Sequence, residues 1–502
     1  MGFDGFDTAK IRSLAGDLDT LSQNAPALHR QLAGVLTRAQ GLLDGKSATT
    51  SPLLQPLVGD ILGGFPFGTF RSLPGSLNHQ LGDAQSSMKR RCDQLDGVQK
   101  LTQEGYQVDP ALYFGDEKPP DEKKITDLLG ALAALDGKDF GSNGNRDDLR
   151  KIRDQFADLT PAELDALLSR VPAADLKHLS DLDADDNDGS GWKWWDHNGL
   201  PDGEFRDFTS SLVKKAGPSH WATLEAAFPG VQPGFDTTDA WIDGVNPQSG
   251  QGAQGMHYGM PTDPLFKTPG QIDVDGIAQG RFGDCWYISS LTATAHANPK
   301  FIQDGIKQNP NGTVDVRIWD KDGNLHWVTV TPDLPMDSGG NLLSAHGGGE
   351  VWPAYYEKAF ALMYGGDDGG APDGHENDPR YDRKESGDYG AVEWDFTDKA
   401  PPYVTGHDSK SIDNDFDSVK KSFQDHHPVI VATPSDDDLK KAGLDPAWDQ
   451  HYVTRHVFYV KGFDADGKMI LGNPWGPGGD IHITADQYKK YFNSPQELQV
   501  GG

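Results

Sequence analysis

Apolar residues near the start of the chain recur at steps of three and four. Ile11, Leu14, Leu18, Leu21, Leu28, Leu32, Val35, Leu36 and Leu42 follow this spacing, which predicts an amphipathic helix over 8–45. The Pro/Gly-rich stretch SPLLQPLVGDILGGFPFGTFRSLPG breaks the period, and a second helix is predicted from about Ser76 to Thr102. Two such helices around a turn read as an antiparallel hairpin, giving a first module over 1–105. Helical spacing returns after 118. In DLTPAELDALLSRV, Thr160 stands as N-cap, Pro161 at the first helical position and Glu163 two residues on, a capping-box start. Leu164, Leu167, Leu168 and Val171 then make one stripe, and another helix is expected near Pro172.

The pattern changes twice more. Residues 231–264 are rich in Gly, Pro, Gln and Asp and read as a linker. Beyond about 271, short runs of strand character (VDVRIW, WVTVTP, HPVIVATP, HVFYVKGF, KMILGNPW) mix with helical ones. The expected class is therefore multi-domain: an α-helical N-terminal region, 1–105 and 118–230, followed by an α+β core.

Composition narrows the function. A length of 502 residues fits about three domains. A formal net charge of −31 repels phosphate backbones and anionic membrane surfaces, so nucleic acid is excluded as a partner. No apolar run is long enough to span a bilayer, so membrane insertion is not expected. The opening MGFDGFDTAKIRSL has neither a basic n-region nor an apolar h-region, so an ordinary signal peptide is not expected. Two distant cysteines, Cys92 and Cys285, make no disulfide framework.

One acidic stretch, DLDADDNDGSGWKWWDHNGLPDGEF from Asp181 to Phe205, has the Asp/Asn density of a calcium loop. Counted from Asp183, Asp185 and Asn187 fit an EF-hand, but Asp188 stands where the turn glycine belongs. A calcium loop and an acidic turn between Trp192, Trp194 and Trp195 both remain open.

The sharpest chemistry lies in QGRFGDCWYISSLTA, Gln279 to Ala293. Gly283 and Asp284 suit a turn, with Asp284 as N-cap and Cys285 in the first helical turn. A thiol there feels the positive end of the helix dipole, which favours thiolate. The amide groups at that end lack helical acceptors and can face an oxyanion. Gln279, across a loop loosened by Gly280 and Gly283, can bring a side-chain amide to the same point. A small buried hydrophobe is the other reading of Cys285.

A thiol enzyme needs a base. In RHVFYVKGFDADGKMILGNPWG, two strand-like runs flank DADG and predict a hairpin. With Phe463 opposite Lys468, Phe458 faces Asn473, and His456 and Asn473 become diagonal neighbours on one face. Asn473 can then hold one ring nitrogen while the other meets the thiol. Trp475 is placed to shield the pair from water.

These blocks, in this order, resemble the catalytic core of calpains, the papain-like cysteine peptidases of calpain type. QGRFGDCWYISSL, GGGEVWPAYYEKAFALMYGG, RHVFYVKGF and GNPWG carry the resemblance, over about 265–495. It implies a papain-like fold of two subdomains, 265–390 with the cysteine and 391–502 with His and Asn. It also implies that Cys285 is nucleophile, His456 general base and acid, Asn473 the histidine orienter and Gln279 an oxyanion donor. The substrate is then a protein, and no cofactor is required for the chemistry. Calcium, which family members often bind in the core, is put in question. Gly276 occupies an expected acidic position, leaving Asp275 and Glu357 as candidate donors, and Pro477 follows NPWG where an acid is expected. Arg455 also departs, standing where the family has glycine.

The N-terminal hairpin resembles type VII-exported actinobacterial proteins, with Tyr113 and Glu117 matching their export signal. That implies a secreted effector or toxin with an export partner or immunity protein. A cytoplasmic processing protease, a silent calpain-like interaction module and an acyl transferase are the alternatives. The N-terminal half is also a candidate inhibitory cover, removed by self-cleavage within 230–270.

Overall fold

The computed structural model describes residues 120–137, 145–187, 202–235 and 256–500, except 269–270, 310, 321–322, 365–386, 394 and 446, with a few isolated positions nearer the start. The predicted hairpin with its export signal, the acidic Trp segment 188–201 and the linker centre 236–255 lie outside the described residues.

Six helices follow one another in the first part: α1 Glu122–Ala133, α2 Asn145–Ala157, α3 Pro161–Leu168, α4 Ala173–Asn187, α5 Asp202–Lys215 and α6 Trp221–Ala227. The capping box of α3 forms as read: Thr160 Oγ1 accepts from Glu163 N at 3.3 Å, and Glu163 returns the bond to Thr160 N at 2.8 Å. Leu164, Leu167 and Leu168 are buried with Ile125, Leu128, Phe156, Phe208 and Leu212 in one apolar cluster.

Helix α5 joins this layer to the α+β core. It lies against an antiparallel three-stranded sheet, β1 Ile306–Gln308, β2 Val314–Trp319 and β3 Leu325–Val330. Asn311 carries the joint. Its Nδ2 donates to the carbonyls of Val213, Lys214 and Ala216 at 2.9, 3.2 and 3.0 Å, satisfying a helix end that would otherwise be bare. Lys214 adds an ion pair with Asp315 at 2.5 Å. Among the described residues, no hydrogen bond of the helical layer reaches Cys285, His456 or Asn473. The described contacts of the N-terminal half run to the sheet, through α5, and to Asp333, Met363 and Gly387 of the core.

Two central helices come next, α7 Cys285–Ala297 and α8 Trp352–Met363. Both are buried nearly all round. Their aromatic rings interlock: Tyr287 stacks on Phe360 at 3.8 Å, and Trp286 meets Phe360 edge-on at 5.4 Å.

The last part is built on a six-stranded antiparallel sheet. Its strands are β4 Lys410–Ser411, β5 Val429–Ala432, β6 Val457–Phe463, β7 Met469–Gly472, β8 Ile481–Ile483 and β9 Asn493–Glu497, in the order β8-β7-β6-β5-β9-β4. Strand alternation splits the runs VIVA and VFYV between two cores. Ile430, Val457 and Tyr459 join the cluster around α7. Val429, Val431, Phe458 and Val460 join a separate one with Val419 and Tyr488, from helices Phe416–Gln424 and Ala485–Tyr491. One sheet thus supports the cysteine helix on one face and its own core on the other.

The hairpin β6–β7 corrects the expected register. Phe463 pairs with Met469, not Lys468, but a bulge between Val460 and Gly462 removes the offset. Tyr459 then pairs with Gly472, which keeps Asn473 level with Phe458, one position beyond the end of β7. Gly472 is required there, because a Cβ would come within 2.2 Å of the Tyr459 ring.

Candidate active site

Cys285 opens α7, and Asp284 is its N-cap residue as read, but the Asp284 side chain makes no capping bond. It turns inward and is fully buried. The loop before it is fixed by a close approach: Arg281 N donates to Leu343 O at 2.6 Å, and a Cβ on Gly280 would lie 1.8 Å from that same oxygen. Only glycine fits at 280.

His456 stands one residue before β6. Thr433 grips its backbone on both sides: His456 N donates to Thr433 Oγ1 at 2.9 Å, and Thr433 N donates to His456 O at 2.9 Å. The ring meets Asn473, with Nε2 to Oδ1 at 2.9 Å. Asn473 Oδ1 also accepts the Trp475 backbone N–H at 3.0 Å, which identifies that atom as the oxygen. Nε2 must therefore carry the ring proton, leaving the lone pair on Nδ1. The Trp475 indole sits over the imidazole, centroids 4.9 Å apart, with its other side half exposed.

The two catalytic candidates are tied together through their neighbours. Ser289, one helical turn after Cys285, donates to Val457 O at 2.8 Å. The thiol itself lies in hydrogen-bond reach of the Val457 amide. Gln279 N donates to Pro474 O at 2.6 Å, joining the loop before the cysteine to the loop after Asn473. Ser289 and Thr433 were not read from the sequence; both are ordinary small polar residues inside apolar runs.

Burial pushes the Cys285 thiol up to about 12; the amides of Val457, Trp286 and Cys285 act against this without offsetting it. Burial likewise pushes His456 down to about 4, opposed by the Asn473 bond. Among the described residues no hydrogen bond joins Sγ to the imidazole, and burial acts on both groups toward their neutral forms, against the pull of the helix end on the thiol. Gln279 is buried beside the cysteine loop, but its Nε2 donates to Phe282 O at 2.5 Å. That bond uses one of the two amide hydrogens and leaves the other for an oxyanion.

The proposed calcium donors do not meet. Asp275 is exposed and pairs with Lys461 at 3.6 Å. Glu357 is fully buried and accepts from Ala345 N at 3.2 Å. Among the described residues, no three His, Cys, Asp or Glu side chains gather to hold a metal ion. The acids that the resemblance nominated for calcium are thus each engaged by protein partners, Asp275 by Lys461 and Glu357 by Ala345 N.

Residues 258–368 match the family described as calpain family cysteine protease. The chain is 29% identical over 247 residues to the calpain-2 catalytic subunit of Bos taurus, covering 44% of this chain and 31% of that protein. It is 27% identical over 248 residues to calpain-13 of Rattus norvegicus, covering 44% and 32%. Calpain-8 of Mus musculus matches at 32% over 126 residues, 22% of this chain and 17% of that protein. The matched part thus spans about a third or less of each relative's length.

Proposed function

We propose that this chain, which carries a calpain-type cysteine peptidase domain, is a working endopeptidase that cleaves proteins through a Cys285 thioester. The observation that carries the reading is the hydrogen bond from His456 Nε2 to Asn473 Oδ1. It holds the ring proton on Nε2 and leaves Nδ1 as the base.

Nδ1 takes the Sγ proton as sulfur attacks a substrate carbonyl carbon. The oxyanion is received by the Cys285 N–H and by the second N–H of the Gln279 amide, each worth about 3 kcal/mol in such sites. Collapse breaks the C–N bond, and the imidazolium gives its proton to the leaving amine. Water then attacks the thioester, losing its proton to Nδ1; the acid product departs and sulfur regains its proton. The buried, neutral resting pair implies that a bound substrate first brings Sγ and imidazole into contact. Charge transfer then happens in a dry site.

The two halves of the core, meeting at α7 and β6, form the cleft. No metal is routed through this chemistry, and the diverging Asp275 and Glu357 support a core that works without calcium. Lys461, on the strand that follows His456, spans to Asp275 before the cysteine loop and supplies a protein contact between the halves. The export-like hairpin supports release by a type VII-like route as an effector or toxin with an export partner or immunity protein. No helix among the described residues is long and apolar enough to cross a membrane.

The test is hydrolysis of a denatured protein by the full chain and by Cys285→Ala. Cleavage by the first and none by the second is expected. Equal cleavage by both ends the proposal, and no cleavage by either favours the silent binding module.

A further inference from the structure

Directly behind the cysteine lies a pair of acids that the mechanism does not use. Asp284 and Glu357 are both fully buried, one at the N-cap of α7, the other in the middle of α8. Neither Asp284 carboxylate oxygen has a well-formed hydrogen bond from an N–H or hydroxyl group of another described residue. Beside its own backbone amide, the group in reach is the Glu357 carboxyl. Two carboxylates repel, so that contact is a bond only when one proton lies between them. Glu357 is built to hold it. Ala345 N lies 3.2 Å from both Glu357 carboxyl oxygens and Ser344 is also within bonding reach of the group, so the carboxyl is held in place while one oxygen carries the proton given to Asp284.

We propose that Asp284 and Glu357 share one proton, and that this shared proton positions Cys285. The inference rests on the reading of Cys285 as nucleophile. Asp284 is covalently next to Cys285, and its carbonyl accepts Tyr287 N at 2.8 Å and Ile288 N at 3.0 Å, so its side chain anchors the first turn of α7. Glu357 anchors that turn to α8 and, through Ala345, to the segment that grips the cysteine loop at Leu343. Burial raises both acids, Asp284 to about 7 and Glu357 well above its ordinary range, in the direction a shared proton requires. The other titratable groups facing the pair are Cys285 and Tyr287 on α7 and Tyr389 at the start of the 389–392 turn. Tyr287 and Tyr389 are held neutral by burial, so no cation balances a second negative charge.

Glu357→Gln is the informative change. A glutamine amide donates to Asp284 permanently and still accepts from Ala345 N, whereas Glu357→Ala leaves Asp284 bare. The experiment is iodoacetamide alkylation of Cys285 in the full chain, read by peptide mass spectrometry to separate it from Cys92. It is combined with thermal unfolding between neutral and alkaline pH. Glu357→Gln is expected to alkylate within about threefold of the parent, and Glu357→Ala about tenfold more slowly. The parent melting temperature is expected to fall on the alkaline side as the shared proton leaves, and Glu357→Gln to lack that fall. An alkaline fall of equal size in Glu357→Gln overturns the proposal, as does Glu357→Ala alkylating at the parent rate. Should Glu357→Ala not fold, the melting profile of Glu357→Gln decides alone. Alkylation needs no hydrolysis, so a chain that cleaves nothing fails the peptidase reading while still reporting on the pair.

Discussion

His456 Nε2 and Asn473 Oδ1 stand 2.9 Å apart, seventeen residues distant in sequence, on adjoining ends of one hairpin. The bond exists because a bulge around Lys461 cancels the one-residue offset of the DADG turn. It sets the ring tautomer, and His456 and Asn473 are separable by mutation. His456→Ala is expected to lower kcat by about 10²–10⁴-fold, and Asn473→Ala by less, because a freely turning imidazole is still a base. Steady-state kinetics on a fluorogenic peptide check the order; an Asn473→Ala loss larger than that of His456→Ala refutes it.

Arg455 adopts a left-handed backbone, φ +50°, directly before the histidine. A non-glycine residue there carries strain of about 1 kcal/mol or more. Arg455→Gly is expected to raise stability by about that amount while leaving kcat in place. Urea unfolding of the two proteins measures it.

The neutral, buried imidazole makes stability depend on acid. His456 has a folded value near 4, below its ordinary 6.5. Its contribution is therefore whole above about pH 6.5 and is lost as pH falls through about 4, where the unfolded chain binds the proton first. His456→Gln is expected to show a shallower loss of stability over that window, by the slope of one proton. Parallel slopes in urea titrations from pH 7 to 4 count against the buried neutral ring.

Removing Asn311 strips the C-terminal end of α5 of three acceptor contacts at once. Asn311→Ala is expected to lower stability by about 2–3 kcal/mol and to expose the joint between helical layer and sheet. A melting curve together with limited trypsin digestion reads both. Unchanged digestion means that α5 is held by its apolar contacts, the Lys214–Asp315 pair and the Ser210–Thr329 bond without need of Asn311.

Chelation tests the diverging acids. With Asp275 paired to Lys461 and Glu357 buried against Ala345 N, activity is expected to be equal in calcium and in excess chelator. A chelator-sensitive rate that calcium restores contradicts a metal-free core.

Much of this site was legible in advance because its chemistry is local. A helix beginning at Cys285 and a hairpin around DADG are patterns of a few residues, and the capping box at Thr160 is a third of the same kind. What sequence could not carry was the dielectric. Helix-end logic favours a thiolate at Cys285, but burial acts in the other direction and raises the thiol. Partners distant along the chain were equally hidden. Ser289 meets Val457 168 residues away. Glu357, nominated as a metal donor from its place in YYEKAF, points instead at Asp284. The register error at Phe463 had a different origin, since no residue in KGFDADGK announces a bulge.

The indole of Trp475 lies against the imidazole with its outer side in solvent. Protonated imidazole quenches a touching indole far more than neutral imidazole does, so the enzyme carries its own optical reporter of the charge-separated state. The emission difference between the parent and Trp475→Phe, followed as substrate binds, would time the arrival of the proton on His456 before any product has formed.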